Sequence, residues 1–352
     1  MEKLNKTLAK IKPVDLEASI RCKQHLDNLT KPPGSLGVLE EIAQKLAAIN
    51  GEIKPKLPKK TVVLMAGDHG VVAEGVSAYP QEVTPQMVMN FLSGGAAMNV
   101  LARHADAELV VVDIGVAVDL PGHPCLQNRK VAYGTNNLAK GPAMTRKQAV
   151  AALECGIDVA EECIARGTGI FGTGEMGIGN TTSSAAITAV YSGEDIAAVC
   201  GRGTGLDDGK LQNKIRVIRK AINLNKPDTT DALDVLSKLG GYEIAGMAGV
   251  MLAASAHSIP VLVDGFISGA AALIAGKLHP HASQYMLASH LSEEPGHGVA
   301  LEILGLMPFL KMNMRLGEGT GSALAMTVVD AAIKICAEMA SFADAGVTKA
   351  ME

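Results

Sequence analysis

The stretch Val62-Val-Leu-Met-Ala66, followed by Gly67-Asp-His-Gly70, indicates the fold of this chain. Consecutive apolar residues without alternation are typical of a strand that is buried on both faces of a parallel sheet. A turn of glycine and polar residues follows at once, as it does at the end of such a strand. The pattern therefore predicts a buried strand whose carboxyl end carries polar side chains.

Further apolar runs repeat this pattern, and each is followed by glycine and a polar or acidic residue. Longer segments with helical periodicity separate them, which favours an α/β fold with a parallel sheet. Because ligands bind at the carboxyl ends of parallel strands, these turns predict one shared site. The other runs are Leu109-Val-Val-Val112, Gly169-Ile-Phe171, Ile196-Ala-Ala-Val199 and Pro260-Val-Leu-Val263.

Two helices can be placed from the residues at their ends. Thr145 and Gln148 form a capping box for a helix that Gly167 ends. In the polar, helical first sixty residues, Ser35 is placed to cap a helix that Gly51 ends.

The composition excludes several classes of protein. The 352 residues include 32 Lys and Arg against 36 Asp and Glu, and this net charge of −4 excludes a strongly basic nucleic-acid-binding protein. It also gives no electrostatic reason to bind an anionic membrane. Hydrophobic residues at 48% and charged residues at 19% exclude a disordered chain. With five Phe, five Tyr and no Trp, aromatic stacking on single strands is not expected.

Cysteine spacing and apolar runs bear on the compartment. The six cysteines form no C-x-x-C pair and the first residues are polar, so we expect reduced, mostly buried thiols in a cytoplasmic protein. The apolar stretch Ile259–Gly276 is interrupted by Asp264 and glycines, which predicts a strand and a helix rather than a membrane span.

Metal and cofactor signals are weak. His279-x-His281 and the pair His290 and His297 only loosely resemble metal-ligand spacings, and no cysteine or carboxylate completes a set. We interpret these histidines as structural or surface residues. Neither a metal nor a cofactor is expected.

Gly172-x-Gly174-x-x-Gly177 matches a dinucleotide-binding fingerprint, which keeps a nicotinamide-dependent oxidoreductase as an alternative. Against NAD, Glu175 lies inside the turn, where a carboxylate would repel a pyrophosphate. A plain tight turn also explains the glycines. The backbone N–H groups and hydroxyl groups of Asn180-Thr-Thr182, at the start of a helix, favour an anion-binding site instead.

Two more glycine-rich segments are candidates. Gly201-Arg-Gly-Thr-Gly205, followed by Lys214, could hold a phosphate, although a flexible loop before a solvated helix explains it equally well. In Gly317-Glu318-Gly319 a glutamate stands between two glycines. In a dry cleft such a carboxylate has a raised pKa and can accept a proton near neutral pH, whereas the alternative is a simple turn.

Several segments, in order from about residue 20 to about residue 340, together resemble the nicotinate-nucleotide:dimethylbenzimidazole phosphoribosyltransferases of cobamide assembly. They are Lys31-Pro-Pro-Gly-Ser-Leu-Gly37, Gly67-Asp-His-Gly-Val71, Tyr79-Pro-Gln-Glu-Val-Thr84, Phe171-Gly-Thr-Gly-Glu-Met-Gly-Ile-Gly-Asn-Thr-Thr182, Gly201-Arg-Gly-Thr-Gly205, Val263-Asp-Gly-Phe266, Ser289-His290 and Met314-Arg-Leu-Gly-Glu-Gly-Thr-Gly321.

The resemblance implies an architecture. It implies a Rossmann-like parallel sheet with helices on both faces over residues 61–330. It also implies a small helical domain built from both chain ends, residues 1–60 with 331–352. The protein would be a dimer with itself or with a close homologue.

The resemblance also implies a reaction. 5-Phosphoribose passes from nicotinate mononucleotide to a lower-ligand base, and dimethylbenzimidazole is the expected base. The anomeric carbon is inverted, which gives the α-ribotide. Both substrates are small molecules, with no nucleic acid or membrane partner. A phenolic or purine acceptor remains an alternative, because a pocket containing Tyr79, Met87 and Met176 is soft and apolar. A catalytically silent partner subunit of a heterodimer also remains an alternative.

Site residues follow from the resemblance by position. Glu318 is the general base, and Glu175 is expected at the ribose or beside the acceptor. The residues expected to hold phosphate, ribose and nicotinate are Gly174, Gly177, Asn180, Thr181, Thr182, Gly203, Thr204, Lys214, Gly317 and Gly319. Those expected to line the acceptor pocket are Tyr79, Met87, Met176 and Leu316.

Overall fold

A six-stranded parallel sheet forms the centre of the computed structural model, which describes residues 1–203 and 205–348. The strands are β1 (Lys59–Gly67), β2 (Ala107–Gly115), β3 (Leu126–Asn128), β4 (Thr168–Met176), β5 (Val261–Val263) and β6 (Met286–Ala288). They lie in the order β3-β2-β1-β4-β5-β6. The chain thus extends the sheet in one direction from β1 and then returns to the opposite side of β1 at β4. Such a reversal opens a crevice at the carboxyl ends of the strands.

Helices surround the sheet. From Thr61 to Gly67 every residue of β1 is buried, so both faces of the sheet are covered there. The helices are α1 (Glu2–Leu8), α2 (Leu16–Asp27), α3 (Val38–Asn50), α4 (Val83–Leu92), α5 (Ala97–His104), α6 (Arg146–Ala165), α7 (Asn180–Ser192), α8 (Ile196–Val199), α9 (Asp208–Asn225), α10 (Ala232–Leu239), α11 (Tyr242–Ala256), α12 (Phe266–Leu278), α13 (Pro295–Leu304), α14 (Thr320–Glu338) and α15 (Phe342–Ala345). Short 3₁₀ helices cover Gly70–Glu74 and Ala282–Tyr285.

The predicted strands at residues 62–66, 109–112, 169–171 and 260–263 are confirmed, with bounds that differ by a few residues. The strand predicted at 196–199 is wrong, because this run forms helix α8. The side chain of Asp195 accepts the N–H of Ala197, and Ala197 and Ala198 are exposed, so the run does not have the two buried faces that a central strand requires. Strands β3 and β6 are only three residues long and were missed.

The helix-end predictions have mixed outcomes. The capping box of Thr145 and Gln148 at the start of α6 is confirmed, and Gly51 ends α3 in the left-handed region. The prediction that Ser35 caps α3 is wrong. Its N-cap is Gly37, and the N–H of Ser35 donates to the carbonyl of Pro32 in the preceding turn. The predicted strand and helix within residues 259–276 are confirmed as β5 and α12.

The two chain ends meet beside the sheet. Leu29 pairs with Ser341 in an isolated antiparallel bridge. A small hydrophobic cluster, separate from the main core, joins α2, α3 and α14 through Cys22, Leu26, Leu29, Ala43, Ala47 and Cys336. Helix α14 runs without a break across residue 330, and the division into two domains stays a prediction.

All six cysteines are free, and Cys22, Cys163, Cys200 and Cys336 are buried. Among the described residues one helix, Thr320–Glu338, is long and apolar enough to cross a membrane by length and composition. Of its apolar window, 56% is buried inside the protein, as is common for a core helix. No group of three or more metal-ligating side chains occurs in the described part of the chain.

Helices α6 and α11 pack in unusually close contact through glycines. A methyl group on Gly156 would overlap the carbonyl oxygen of Gly246, and one on Gly249 would overlap that of Leu153. The backbones therefore touch where side chains would normally separate them.

We expect Gly156→Ala to destabilise the protein. The overlap costs about 1–3 kcal/mol, which outweighs the helix propensity that alanine adds, about 1 kcal/mol. Urea unfolding measures the change. Gly209→Ala in α9 is the matched control, because its methyl group would make only an ordinary contact of 3.5 Å. Equal stability of the two variants would contradict the expectation.

Candidate active site

A cavity of about 500 Å³ lies at the carboxyl ends of β4 and β5. This is the edge at which the sequence predicted a shared site. The predicted residues that line it are Tyr79, Met87, Glu175, Met176, Gly177, Asn180, Thr181, Gly203, Leu316, Gly317 and Glu318. Residues far apart in the sequence thus meet in one cleft.

Other predicted residues lie behind the wall of this cavity. Gly174 and Gly319 pack against each other, Thr182 is buried in the first turn of α7, and Lys214 is buried in α9. Thr204, predicted to bind phosphate, lies outside the described residues.

Glu175 is the penultimate residue of β4 and is almost completely buried. Its Oε2 accepts a hydrogen bond from Asn180 Nδ2, and its Oε1 accepts one from the backbone N–H of Glu318 at 3.3 Å. Burial, together with the negative charge of Glu243, raises the pKa of Glu175 to about 8. The side chain is therefore mainly protonated at pH 7.

Glu318 lies between two glycines in a turn just before α14. Gly317, Glu318 and Gly319 have φ values of 80°, 63° and 90°, so all three adopt the left-handed region. This backbone costs a non-glycine residue about 1–2 kcal/mol, and such strain is concentrated at functional sites. Only 7% of Glu318 is exposed, and its Oε2 has no hydrogen-bond partner in the described chain.

The environment of Glu318 suits a proton acceptor. Burial, together with the negative charge of Asp264, raises its pKa to about 7. A carboxylate with a pKa near the working pH is an effective general base.

Gly174 explains how close the Glu318 turn comes to the sheet. A Cβ on Gly174 would lie 2.5 Å from the carbonyl oxygen of Glu318 and 3.1 Å from the N of Gly319. The glycine that was expected in a loop is therefore an interior strand residue on which the Glu318 turn rests. A side chain at this position would push that turn away from the strand.

The loop before α9 borders the cavity on another side. Lys214 Nζ donates to Thr181 Oγ1 at 2.9 Å and to the carbonyl of Gly201 at 3.2 Å. The N–H of Gly203 donates to Glu294 Oε1 at 2.8 Å. Burial lowers the pKa of Lys214. A backbone N–H, a hydroxyl and a buried ammonium are thus gathered at one corner, together with the carboxyl group of Glu294.

The opposite wall is mainly apolar. Tyr79 precedes α4, Met87 lies on α4, Met176 ends β4, and Leu316 precedes the Glu318 turn. Tyr79 and Leu316 are exposed at 53% and 55%, which leaves them free to contact a ligand. These four side chains line the same cavity as both carboxyl groups.

Comparison with known proteins identifies the family of this chain. A family model described as "Phosphoribosyltransferase" matches residues 11–347. The chain belongs to this phosphoribosyltransferase family.

Curated relatives of this phosphoribosyltransferase are similar over nearly their whole length. Proteins named nicotinate-nucleotide–dimethylbenzimidazole phosphoribosyltransferase are 55% identical over 348 residues in Geobacter sp. (strain M21) and 56% identical over 349 residues in Geobacter sulfurreducens. The alignments cover 99% of this chain and 100% and 99% of those proteins. The crystal structure of CobT from Thermus thermophilus matches with a TM-score of 0.91 and 47% identity, covering 95% of this chain and 100% of that chain.

Some cavity residues of this phosphoribosyltransferase were missed from the sequence. Val83 lies four residues before Met87 on α4, and this helical spacing could have identified it. Gly265, Phe266 and Arg315 fall inside segments that carried the family resemblance. Ser292 and Glu294 follow β6, a strand too short to predict, so no local pattern pointed to them. The complete set missed is Val83, Ile178, Gly265, Phe266, Ile267, Ser292, Glu294 and Arg315.

Proposed function

We propose that this phosphoribosyltransferase transfers the 5-phosphoribosyl group of nicotinate mononucleotide to dimethylbenzimidazole, releasing nicotinate and forming α-ribazole 5′-phosphate for the cobamide nucleotide loop. The observation that carries the proposal is the buried Glu318, held between two glycines at a cavity that also contains a corner with polar donors and an apolar wall. The names of the curated relatives support the same reaction.

The donor needs little chemical help to lose nicotinate. Its ring nitrogen is positively charged while it is bonded to ribose, so nicotinate departs as a neutral pyridine nitrogen without an acid catalyst. The anomeric carbon becomes electron-poor as this bond lengthens. A nearby carboxyl group such as Glu175 stabilises that positive charge when it ionises, and the positive donor itself favours the ionised form.

The acceptor must lose a proton when its nitrogen bonds to ribose. Glu318 takes this proton as the new bond forms. Attack from the side opposite to nicotinate inverts the anomeric centre from β to α, so acceptor and leaving group occupy opposite ends of the cleft. The enzyme then mainly aligns the two substrates and removes one proton.

The remaining predicted residues hold the substrates. Thr181 and the helix start at Asn180 bind the phosphate, buried Lys214 supports them through Thr181, and the N–H of Gly203 exchanges Glu294 for a phosphate oxygen. Gly174, Gly177, Thr182, Gly317 and Gly319 shape the backbone around ribose and nicotinate. The acceptor stacks against Tyr79, Met87, Met176 and Leu316, and methionine adapts to the shape of the ring.

The protein acts in the cytoplasm as a dimer with itself or a close homologue, with its small helical domain formed by residues 1–60 and 331–352. Exposed apolar residues support the dimer. Leu16 and Ile20 are one helical turn apart on α2 and are exposed at 69% and 57%. Gel filtration with light scattering tests this assembly.

The activity test combines purified protein, nicotinate mononucleotide and one acceptor at a time. Release of nicotinate and formation of α-ribazole 5′-phosphate with dimethylbenzimidazole support the proposal. Competition among dimethylbenzimidazole, adenine and phenol identifies the preferred acceptor, and preference for phenol would replace dimethylbenzimidazole with a phenolic substrate. Binding of acceptor without turnover would indicate a silent partner subunit instead.

We expect activity to fall in acid. Glu318 must be deprotonated to act as a base, and its pKa is raised to about 7. Glu175, whose pKa is raised to about 8, must ionise as well. The kcat/KM for nicotinate mononucleotide, measured at saturating acceptor, therefore decreases by a factor of about ten or more for each pH unit below about 7. A rate that stays constant from pH 5.5 to pH 8 would contradict this role of Glu318.

A further inference from the structure

Asp264 is a completely buried carboxylate that follows β5 and lies behind the cavity. Its Oδ2 accepts the N–H of Gly319 at 3.1 Å, and its Oδ1 accepts those of Gly321 at 2.7 Å and Ser322 at 3.0 Å. These donors belong to the residue that follows Glu318 and to the first turn of α14. One side chain from the sheet therefore binds the backbone on which Glu318 stands.

The surroundings of Asp264 are built for this contact. A side chain on Gly321 would overlap His290 Nδ1 and lie 2.9 Å from Asp264 Oδ1. His290 Nδ1 is 4.0 Å from the same oxygen. Burial raises the pKa of Asp264, whereas the neighbouring imidazole of His290 and the three N–H groups oppose this shift and favour the ionised carboxylate.

The conformation of the Glu318 turn depends on contacts from residues outside the turn. Glu318 has a left-handed backbone that an unrestrained glutamate rarely adopts. On one side its carbonyl rests on Gly174, and its N–H donates to Glu175. Asp264 accepts the N–H of Gly319, the next residue. The turn is therefore held both from β4 and from the segment that follows β5.

We propose that Asp264 is a positioning residue, which holds the Glu318 turn in its left-handed conformation and so aims the catalytic carboxylate at the acceptor. This inference rests on the proposed function for the role of Glu318.

Asp264 has a second, electrostatic effect that separates this role from a purely structural one. Its negative charge contributes, with burial, to the raised pKa of Glu318. The other titratable or charged groups around the turn are Glu175, Glu294 and Arg315 in the cavity and His290 behind Asp264. Removal of the Asp264 charge alone therefore lowers the pKa of Glu318 while the turn loses its hold.

The test is Asp264→Asn. Its amide group cannot accept all three N–H bonds, so we expect kcat to fall about 10- to 100-fold, because hydrogen bonds to a charged group are the strong ones. The KM for nicotinate mononucleotide should change less than threefold. The pH at which the rate falls in acid should move lower by at least half a unit. By itself this shift favours activity in acid, so it is opposite in effect to the loss of kcat.

Asp113→Asn is the matched control. Asp113 is also fully buried and lies in β2, which is not adjacent to β4 or β5. It accepts the N–H of Val116 at 2.9 Å just after that strand and pairs with Lys130 at 2.9 Å, and neither residue lines the cavity. It should lose stability without moving the pH profile. Asp264→Glu keeps the charge but not the geometry. It should therefore lower kcat and leave the acidic limb of the pH profile as in wild type. This variant replaces Asp264→Asn if Asp264→Asn does not fold.

The possible results distinguish a failure of this inference from a failure of the proposed function. An unchanged kcat and pH limb in Asp264→Asn, or a loss identical to that of Asp113→Asn, would overturn the inference. NMR titration of the Glu318 carboxyl group in wild type and Asp264→Asn needs no turnover, so it tests the electrostatic link even if the wild-type protein transfers no phosphoribose. That last result would overturn the proposed function alone.

Discussion

Glu318→Gln is expected to lower kcat for nicotinate release by a factor of about 10²–10⁴, the usual contribution of a general base. Glutamine keeps the size of the side chain and its left-handed backbone, but it cannot accept the acceptor's proton. The KM for nicotinate mononucleotide should change little, because the substitution does not alter the corner around Gly203 and Lys214 that we propose to bind the phosphate. Steady-state kinetics with dimethylbenzimidazole measures the effect.

The same variant should be more stable than wild type at pH 8. The folded pKa of Glu318, about 7, lies above the unfolded value of about 4.3. The folded state therefore holds a proton that the unfolded state loses in this window, and stability falls as pH rises through it. Glutamine removes this penalty, which is about 4 kcal/mol at most, and the advantage shrinks towards pH 5. Thermal unfolding at both pH values measures it.

Glu302→Gln, on the exposed side of α13, is the control for the loss of one charge. It should keep wild-type kcat and show no pH-dependent gain in stability. If Glu318→Gln turned over at the wild-type rate, Glu318 would lose its role. If it were inactive and less stable at pH 8, its inactivity would reflect misfolding.

Gly174→Ala is expected to lower kcat at least 100-fold. The added Cβ would lie 2.5 Å from the carbonyl oxygen and 2.9 Å from the carbonyl carbon of Glu318, neither of which can rotate away. Gly174 lies opposite Leu64 in the middle of the sheet, so the strand cannot yield easily. The Glu318 turn must move instead, and a displacement of about 1 Å at a catalytic group can cost 10²-fold in rate.

Gly156→Ala separates this effect from simple destabilisation. Both variants crowd a backbone contact, but Gly156 lies between α6 and α11, away from the cavity. Gly156→Ala should therefore lose stability while each folded molecule keeps its kcat. Gly174→Ala with a kcat within threefold of wild type would show that the close approach does not matter for catalysis.

The central strands and the shared site were predictable, because they depend on local patterns. The run Val62–Ala66 is apolar on both faces and β1 is buried on both faces, so periodicity was sufficient. Glu318 stood out because glutamate between glycines has no packing explanation. The structure adds that both glycines and Glu318 itself adopt positive φ.

The errors arise where tertiary contacts override the local pattern. Ile196–Val199 has the composition of a strand, but it lies at the surface and is capped by Asp195, so it forms a helical turn. Gly174 was expected in the turn after a strand, whereas it is a strand residue in contact with Glu318, 144 positions later in the chain by their numbers (318 − 174). Glu294 carried no local signal, because only the folded chain brings it to Gly203.

The acceptor wall and the carboxyl groups are held in different ways, and this has an evolutionary consequence. Glu175 and Glu318 are fixed by strand ends, glycines and backbone N–H groups. The acceptor wall instead consists of side chains such as Tyr79 and Met87, which come from α4 and the segment before it. Under the proposed function, point changes in that wall therefore alter which ring is accepted, while the two carboxyl groups proposed to act on the glycosidic bond keep their backbone supports.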